Sequence, residues 1–243
     1  MPADERAGRR GRGTPGTLYL CPTPIGNLRD VTLRVLDVLR QVDLVLAEDT
    51  RRTRKLLQEY GIEVPLLSFH DANEERRLPR VLGLLEGGRS VALVADAGFP
   101  LMADPGYRLV REVIARDLPL TALPGPSAIL PALALSGLPP YPYLFLGFLP
   151  RRSSERRRLL ERVLALPWTV VAFEAPHRLV ESLADAVAVV GPDRPAAVAR
   201  ELTKVFETVV RGTTGELLAR FRAEPPRGEL VLVIAGSPMK RKG

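Results

Sequence analysis

The chain has 243 residues, 46% of them apolar, enough for one large α/β domain or two compact ones with substantial cores. The single Cys21 excludes an intramolecular disulfide, and with only His70 and His177 beside it a Cys/His zinc cage cannot be assembled, so any metal would need carboxylates. The formal charge is +7 and no apolar run reaches the roughly 18 residues of a membrane-spanning helix; a polyanionic partner, no membrane partner and a cytoplasmic setting are the expectations.

Residues 1–16 form a basic tail expected to be disordered. From residue 17 strand-like and helical runs alternate, the pattern of an α/β fold with a largely parallel sheet. Short β runs stand at 17–21, 43–47, 65–69, 90–95 and 119–123. Between them Val35, Val38, Leu39 and Val42 share one helix face, and Leu56 and Leu57 lie in a second helix ended by Gly61. Asn73 is placed to cap a third helix reaching Gly87, with Pro79 near its start or kinking it.

Two prolines around a glycine in LPGPS (123–127) stop one element and redirect the chain, which sets the expected domains at 17–123 and 124–236. Beyond the junction a helix from about Ser127 precedes a strand at 143–148, and another helix follows Ser153. A strand at 169–173, a helix at 176–190, strands at 196–200 and 206–211, a helix at 214–221 and a strand at 229–235 complete the series. The short 202–204 connection makes its two strands antiparallel, so the second sheet is expected to be mixed. Residues 237–243 form a second basic tail.

Charge is unevenly placed. Residues 1–16 carry a net +2, residues 151–162 a net +4 and the end, with Lys240, Arg241 and Lys242, a net +3, which leaves the rest of the +7 chain at about −2. Arg151, Arg152, Arg156, Arg157 and Arg158 straddle the start of a helix, where cations oppose the helix dipole. A demand from outside the fold, phosphate binding, is the preferred reading, and a solvated face is the alternative.

No Gly-x-Gly-x-x-Gly follows the first strand, and there is no phosphate-binding Gly-Lys-Ser/Thr loop or His-Glu-x-x-His motif. In place of a glycine-rich loop stands PTPIGNLRDVT (22–32), a stiff turn at the carboxyl end of a strand, where open α/β sheets place ligands. ADAGFPLMADPGY (95–107) follows another strand, with glycines that admit close backbone approach and prolines that hold its shape.

These two segments, together with AEDTRRT (47–53), SFHDANE (68–74), LPGPSA (123–128), GFLPRR (147–152), FEAPHRL (173–179), ARELTK (199–204) and GELVLVI (228–234), resemble the tetrapyrrole-methylase superfamily. Nine motifs in this order, spanning about residues 17 to 235, are most similar to its ribosomal RNA small-subunit methyltransferase I branch. The resemblance implies a two-domain fold, a first sheet mainly parallel and a second mixed, with S-adenosylmethionine held in the cleft between the domains. It further implies 2′-O-methylation of a cytidine in the decoding region of 16S ribosomal RNA, on free RNA or the small ribosomal subunit, by a homodimer. Carried over by position, Pro24, Ile25, Gly98, Phe99, Met102, Ser127 and Ala128 contact the donor, while Phe173, Leu202 and Leu230 cover its adenine. Relatives usually place a small threonine or serine where Phe99 stands, and many continue into a short helical extension where this sequence ends.

A ribose hydroxyl needs an acceptor for its proton, so a carboxylate or a lysine of lowered pKa is expected nearby. Glu201 and Lys204, on a short interstrand turn, are the first candidates, with an ordinary ion pair as the alternative reading; Asp49 is the next, with Asp30 and Asn27 as orienting groups. Glu48, Asp49 and Arg51 either orient the target ribose, with Arg51 touching RNA, or cap the next helix. His70, His177, Asp71 and Asn73 read more simply as structural, and Cys21 as a small core residue. Two other readings remain: a methylase of this fold acting on a tetrapyrrole precursor or a protein side chain, and a non-catalytic RNA-binding factor.

Overall fold

The computed structural model describes residues 14–238. Most of residues 1–16 and of the C-terminal basic segment, including Lys240, Arg241 and Lys242, lie outside the described residues. The chain forms two compact units, one ending at Pro126 and one beginning at Ser127, so the division falls within LPGPS, three residues beyond position 123.

The first unit holds β1 (Leu18–Cys21), α1 (Leu33–Gln41), β2 (Leu44–Ala47), α2 (Thr50–Glu59), β3 (Leu66–Ser68), α3 (Asp71–Glu86), β4 (Val91–Val94), α4 (Tyr107–Ala115) and β5 (Leu120–Ala122). The strands make one parallel sheet in the order β3-β2-β4-β1-β5. From β1 to β3 the chain steps one way across the sheet and from β3 to β5 the other, so right-handed crossovers place the helices on opposite faces. Val35, Leu36 and Leu39 of α1 and Leu57 of α2 pack with Cys21, Val45 and Ala92. On the other face Val81 and Leu85 of α3 and Leu109 and Val113 of α4 pack with Leu18, Leu46 and Leu93. Burial from both sides explains why these strands read as unbroken apolar runs. Cys21 is a core residue, and burial pushes its thiol up to about 12.

Two details of α3 differ from the sequence expectation. Its N-cap is His70, and Asn73 sits three residues inside, where its Oδ1 accepts the His70 backbone N–H at 3.0 Å. Pro79 lies mid-helix, and the helix runs through it because Glu75 and Pro79 are both exposed, leaving the orphaned carbonyl to water.

Helix α4 was not anticipated, since its N-cap Gly106 (φ 112°) has no side chain to give a capping signal. The cap comes from elsewhere: buried Glu74 of α3 accepts the Leu109 N–H at 3.1 Å. Replacing Glu74 by alanine leaves a buried donor unpaired and is expected to cost about 1–3 kcal/mol in chemical denaturation. Glu74→Gln, which keeps an acceptor oxygen, should lose clearly less.

The second unit holds α5 (Ile129–Ser136), β6 (Tyr143–Phe148), α6 (Ser153–Leu164), β7 (Thr169–Glu174), α7 (Leu179–Val190), β8 (Pro195–Arg200), β9 (Thr208–Thr213), α8 (Thr214–Ala223) and β10 (Leu230–Ile234). Its sheet runs β6-β7-β10-β8-β9, parallel only between β6 and β7, and is therefore mixed. Leu160, Leu164, Leu179, Leu183, Leu217 and Phe221 of α6, α7 and α8 form its main core with Val170, Val198 and Leu232. Strand β9 begins at Thr208, two residues later than expected: the ladder starts at the Arg200/Thr208 pair, and the Arg200 guanidinium binds the Phe206 carbonyl, holding it in the loop. Among the described residues no helix is long and apolar enough to cross a membrane.

Candidate active site

In the parallel sheet the connections leaving β1 and β4 diverge to opposite faces, which opens a crevice at the carboxyl ends of these neighbouring strands. Its two walls are the 22–32 and 95–106 loops, clasped at their root by reciprocal hydrogen bonds of 2.9 Å between the backbones of Thr23 and Gly98. The buried Thr23 hydroxyl adds a third bond, to the Ala95 carbonyl at 2.9 Å. Gly98 has φ +85°, and a Cβ there would come within 3.4 Å of Ile25 Cγ2 and 3.9 Å of the Pro126 carbonyl. The absent side chain keeps a bare backbone between the Ile25 methyl and the Pro126 carbonyl, a cradle that one methyl group would begin to fill. Pro24, Ile25, Gly98, Phe99 and Met102 all belong to these two loops, with Ile25 buried and Met102 exposed.

Polar groups gather along the same edge of the sheet. Asn27 accepts the Arg29 N–H and caps a 3₁₀ turn at Leu28–Asp30, with Asp30 exposed in that turn. Asp49 is the N-cap of α2 and grips Arg51 through two contacts of 3.0 and 2.8 Å; this hydrogen-bonded guanidinium holds its carboxyl well below the usual range. Asp96, after β4, accepts the Asp49 N–H at 2.9 Å and lies 3.7 Å from Arg52.

A group that the motifs did not single out is Asp104, in the loop after β4. Burial, and then the carboxylates of Glu48, Asp96 and Asp71, raise its carboxyl to about 7. Glu48 is raised for the same reasons, burial first and then Asp96 and Asp71, with His70 and Arg52 opposing. The backbone on either side of Met102 is strained, Leu101 and Ala103 both having φ of 73°. Four carboxylates from segments that follow three different strands, Asp71 being the first residue of α3, converge only in the fold, so no single motif announces Asp104.

Glu201 and Lys204 lie in the second unit, in the loop between β8 and β9. Lys204 Nζ is 2.8 Å from Glu201 and 3.0 Å from Glu229, and Glu201 also accepts the Glu229 N–H at 2.8 Å. The Lys204 hydrogen bond, then that N–H, lowers the Glu201 carboxyl. Burial works against the Lys204 charge, but its bonds to Glu201 and Glu229 outweigh it and raise the ammonium. The geometry is that of the ion-pair alternative, with the Lys204 charge favoured and not weakened: the pair braces a loop in which Glu201 and Thr203 have positive φ (51° and 66°). Leu202 and Leu230 are buried at this end of the second sheet, and Phe173 at the end of β7 packs against Phe145 and Phe148 with ring centroids 5.0 and 5.5 Å away. Neither partner ring was singled out in sequence. Ser127 accepts the Ile129 N–H at the start of α5, next to Ala128. A separate groove of about 580 Å³, with Tyr141, Trp168 and Arg194 in its lining, lies at the opposite end of the second sheet.

The arginine cluster splits. Arg151, Arg152 and Arg158 are exposed, but the Arg156 side chain is only 1% exposed and pairs with Asp185 of α7 at 2.6 Å. Arg157 and Ser153 bind the same carboxylate. Arg156 also donates to the Pro150 carbonyl, and Arg178, paired with the buried Glu174, donates to the Leu149 carbonyl. The phosphate-binding expectation is therefore corrected for Arg156: Asp185 supplies the counter-charge that the helix start itself does not, and the residue serves the fold. His177 is exposed in the Pro176–Arg178 turn.

Residues 17–218 match the family model of tetrapyrrole (corrin/porphyrin) methylases. A ribosomal RNA small subunit methyltransferase I of Micromonospora olivasterospora is 52% identical, over 92% of this chain and 71% of that one. Proteins of the same name from Escherichia coli O157:H7 (47% identical, 91% and 78% covered) and Thermotoga maritima (45%, 91% and 99%) are also similar. Among solved structures, a diphthine synthase (TM-score 0.71, 15% identity, 93% and 92% covered) and a cobalt precorrin-4 methyltransferase (0.66, 18%, 90% and 94%) share the fold. With its motifs, its two-sheet architecture and these likenesses in agreement, the chain belongs to the ribosomal RNA small subunit methyltransferase I family of the tetrapyrrole methylases.

Proposed function

We propose that the protein is an S-adenosylmethionine-dependent methyltransferase of small-subunit ribosomal RNA, acting on the 2′-hydroxyl of a cytidine in the decoding region of 16S RNA. The observation that carries the reading is the clasped pair of loops at the β1/β4 crevice, with its glycine cradle at Gly98, in a chain 45–52% identical to proteins named for methylating this RNA. The surroundings suit the donor: a backbone floor at Gly98 with the Ile25 methyl on one side and the Pro126 carbonyl on the other offers both apolar and polar contact without a phosphate-binding loop.

When bound, the donor supplies an electrophilic methyl group on a sulfonium sulfur. Pro24, Ile25, Gly98, Phe99 and Met102 would hold it. Positioning dominates such a transfer, because the acceptor oxygen must lie in line with the methyl carbon at roughly 3 Å. Asp104, on the loop that carries Phe99 and Met102, is proposed to accept the proton released by the ribose hydroxyl as the sulfonium S–C bond breaks and the donor leaves as the neutral thioether. Asn27, Asp30, Asp49 and Glu48 orient the ribose around it, while the Glu201–Lys204 pair fixes the loop that carries Leu202. Arg51, Arg151, Arg152, Arg157 and Arg158 offer cations to the RNA backbone. The active form is proposed to be a homodimer in the cytoplasm.

Isothermal calorimetry with S-adenosylmethionine, and mass-spectrometric mapping of methylated riboses in small-subunit RNA treated with the protein, test this reading. Donor binding together with a single new 2′-O-methylcytidine is the expected result. A protein that binds RNA and ignores the donor would instead be a non-catalytic factor.

A further inference from the structure

Helix α2 starts at the carboxyl edge of the parallel sheet and carries four cations in its first six residues, Arg51, Arg52, Arg54 and Lys55. Thr53, Leu56 and Leu57 turn inward, so the four cations spread over the outward face, where all are exposed. The arrangement is locally unfavourable: cations in a first turn oppose the helix dipole, and like charges three and four residues apart repel. Asp49 and Asp96 relieve only Arg51 and Arg52. Among the described residues Arg54 and Lys55 have no ion pair, and neither does Arg29. At the far end of the helix the Tyr60 hydroxyl donates to the Leu28 carbonyl at 2.8 Å, which sets exposed Arg29 beside it. From Arg51 to Tyr60 the cationic track runs about 14 Å at 1.5 Å per residue.

Unlike the cluster at 151–158, where Asp185 answers two of the arginines, this face forms no ion pair with half of its cations among the described residues, Glu59 at the helix end lying beyond pairing distance. We propose that α2 and Arg29 form a phosphate track for the single-stranded RNA flanking the target nucleotide, leading the strand along the helix to the carboxyl edge of the sheet. This rests on the RNA-methylation reading above and adds to it the course of the strand.

The test is the full chain carrying Arg29→Gln, Arg54→Gln and Lys55→Gln, titrated with a fluorescein-labelled single-stranded RNA between 50 and 200 mM salt. Each phosphate contact on a single strand contributes about 0.7 to the slope of log affinity against log salt, so the triple variant is expected to lose about 2 from that slope. In a companion variant with only Arg54→Gln and Lys55→Gln, which leaves the crevice loops untouched, S-adenosylmethionine binding should be unchanged and the melting temperature equal or higher because the repulsion is gone. Arg220→Gln with Arg222→Gln, exposed on α8, is the control and should leave the slope nearly unaltered. An unchanged slope in the triple variant, an equal loss in the control, or an effect seen only with duplex RNA overturns the track. Wild-type protein that methylates RNA while the triple variant keeps its slope refutes the track alone; wild-type protein that neither binds RNA nor transfers methyl refutes both readings.

Discussion

Replacing Asp185 by alanine is expected to destabilise the C-terminal unit by about 3–5 kcal/mol, the largest stability loss of any single substitution considered, because it leaves a buried cation with only the more distant, exposed Glu181 at 3.9 Å as counter-charge. Arg156 and Asp185 side chains are 1% and 4% exposed, and the aspartate also binds Ser153 and Arg157. Burial alone would raise the Asp185 carboxyl, but bonds from Arg157, Ser153 and Arg156 prevail and lower it. A depressed carboxyl contributes stability that is present above its unfolded value near 4 and is lost as pH falls through the folded value. The wild type should therefore soften in acid, and Asp185→Ala should show little of that arm. Removing both charges with apolar residues of similar volume, Arg156→Met with Asp185→Leu, is expected to recover most of the loss, since a paired ion and a packed apolar pair are of similar worth inside a protein. Urea denaturation of the three proteins decides: if Asp185→Ala unfolds within about 1 kcal/mol of wild type, the pair is a surface bridge in energetic terms. RNA affinity carries a second readout, because Arg156 holds the carbonyls of Pro150 and Arg151 and so sets the exposed loop from which Arg151 and Arg152 project.

Much of this architecture is visible in one dimension. The parallel sheet of the first unit follows from apolar runs such as Val91–Val94, buried on both faces, alternating with amphipathic stretches. Loops rich in proline and glycine at strand ends marked the crevice, because stiffness and close backbone approach are properties of residue types. What escaped was whatever depends on a partner distant in sequence. Helix α4 is capped by Glu74, 35 residues before Leu109. Arg156 looked like a surface cation until Asp185, 29 residues on, supplied its counter-charge. Lys204 looked like a base in waiting, yet Glu229, beyond an intervening strand and helix, helps to hold its proton in place. Asp104 is unremarkable in ADAGFPLMADPGY and becomes distinctive only when the chain brings Glu48 and Asp71 to the same edge.

Asp104→Asn is expected to lower methyl transfer by about 10² to 10⁴, the range typical of a lost general base, with S-adenosylmethionine affinity preserved. The same change should stabilise the protein at alkaline pH. In the folded chain burial and neighbouring carboxylates lift this carboxyl to about 7, whereas unfolded it titrates near 3.9. Between those values the native state holds more protons than the unfolded one, so the group's contribution to stability declines as pH rises through the window and the deficit is complete above it. The full shift would correspond to about 4 kcal/mol at 1.36 kcal/mol per unit; because Asp104 is partly open to water, screening reduces this to roughly 1–2 kcal/mol. Asparagine cannot ionise, so at pH 8 the variant should melt about 3–6 °C higher than wild type and at pH 4 no higher. Turnover of the wild type should climb through a limb near pH 7 that the variant lacks, since only the ionised carboxylate can accept the hydroxyl proton. A merely structural aspartate would give the opposite pattern, with stability and activity falling together. Near-normal turnover in Asp104→Asn, or a limb that survives the substitution, would return the search for the base to Glu48, the other carboxyl on this edge whose pKa is raised.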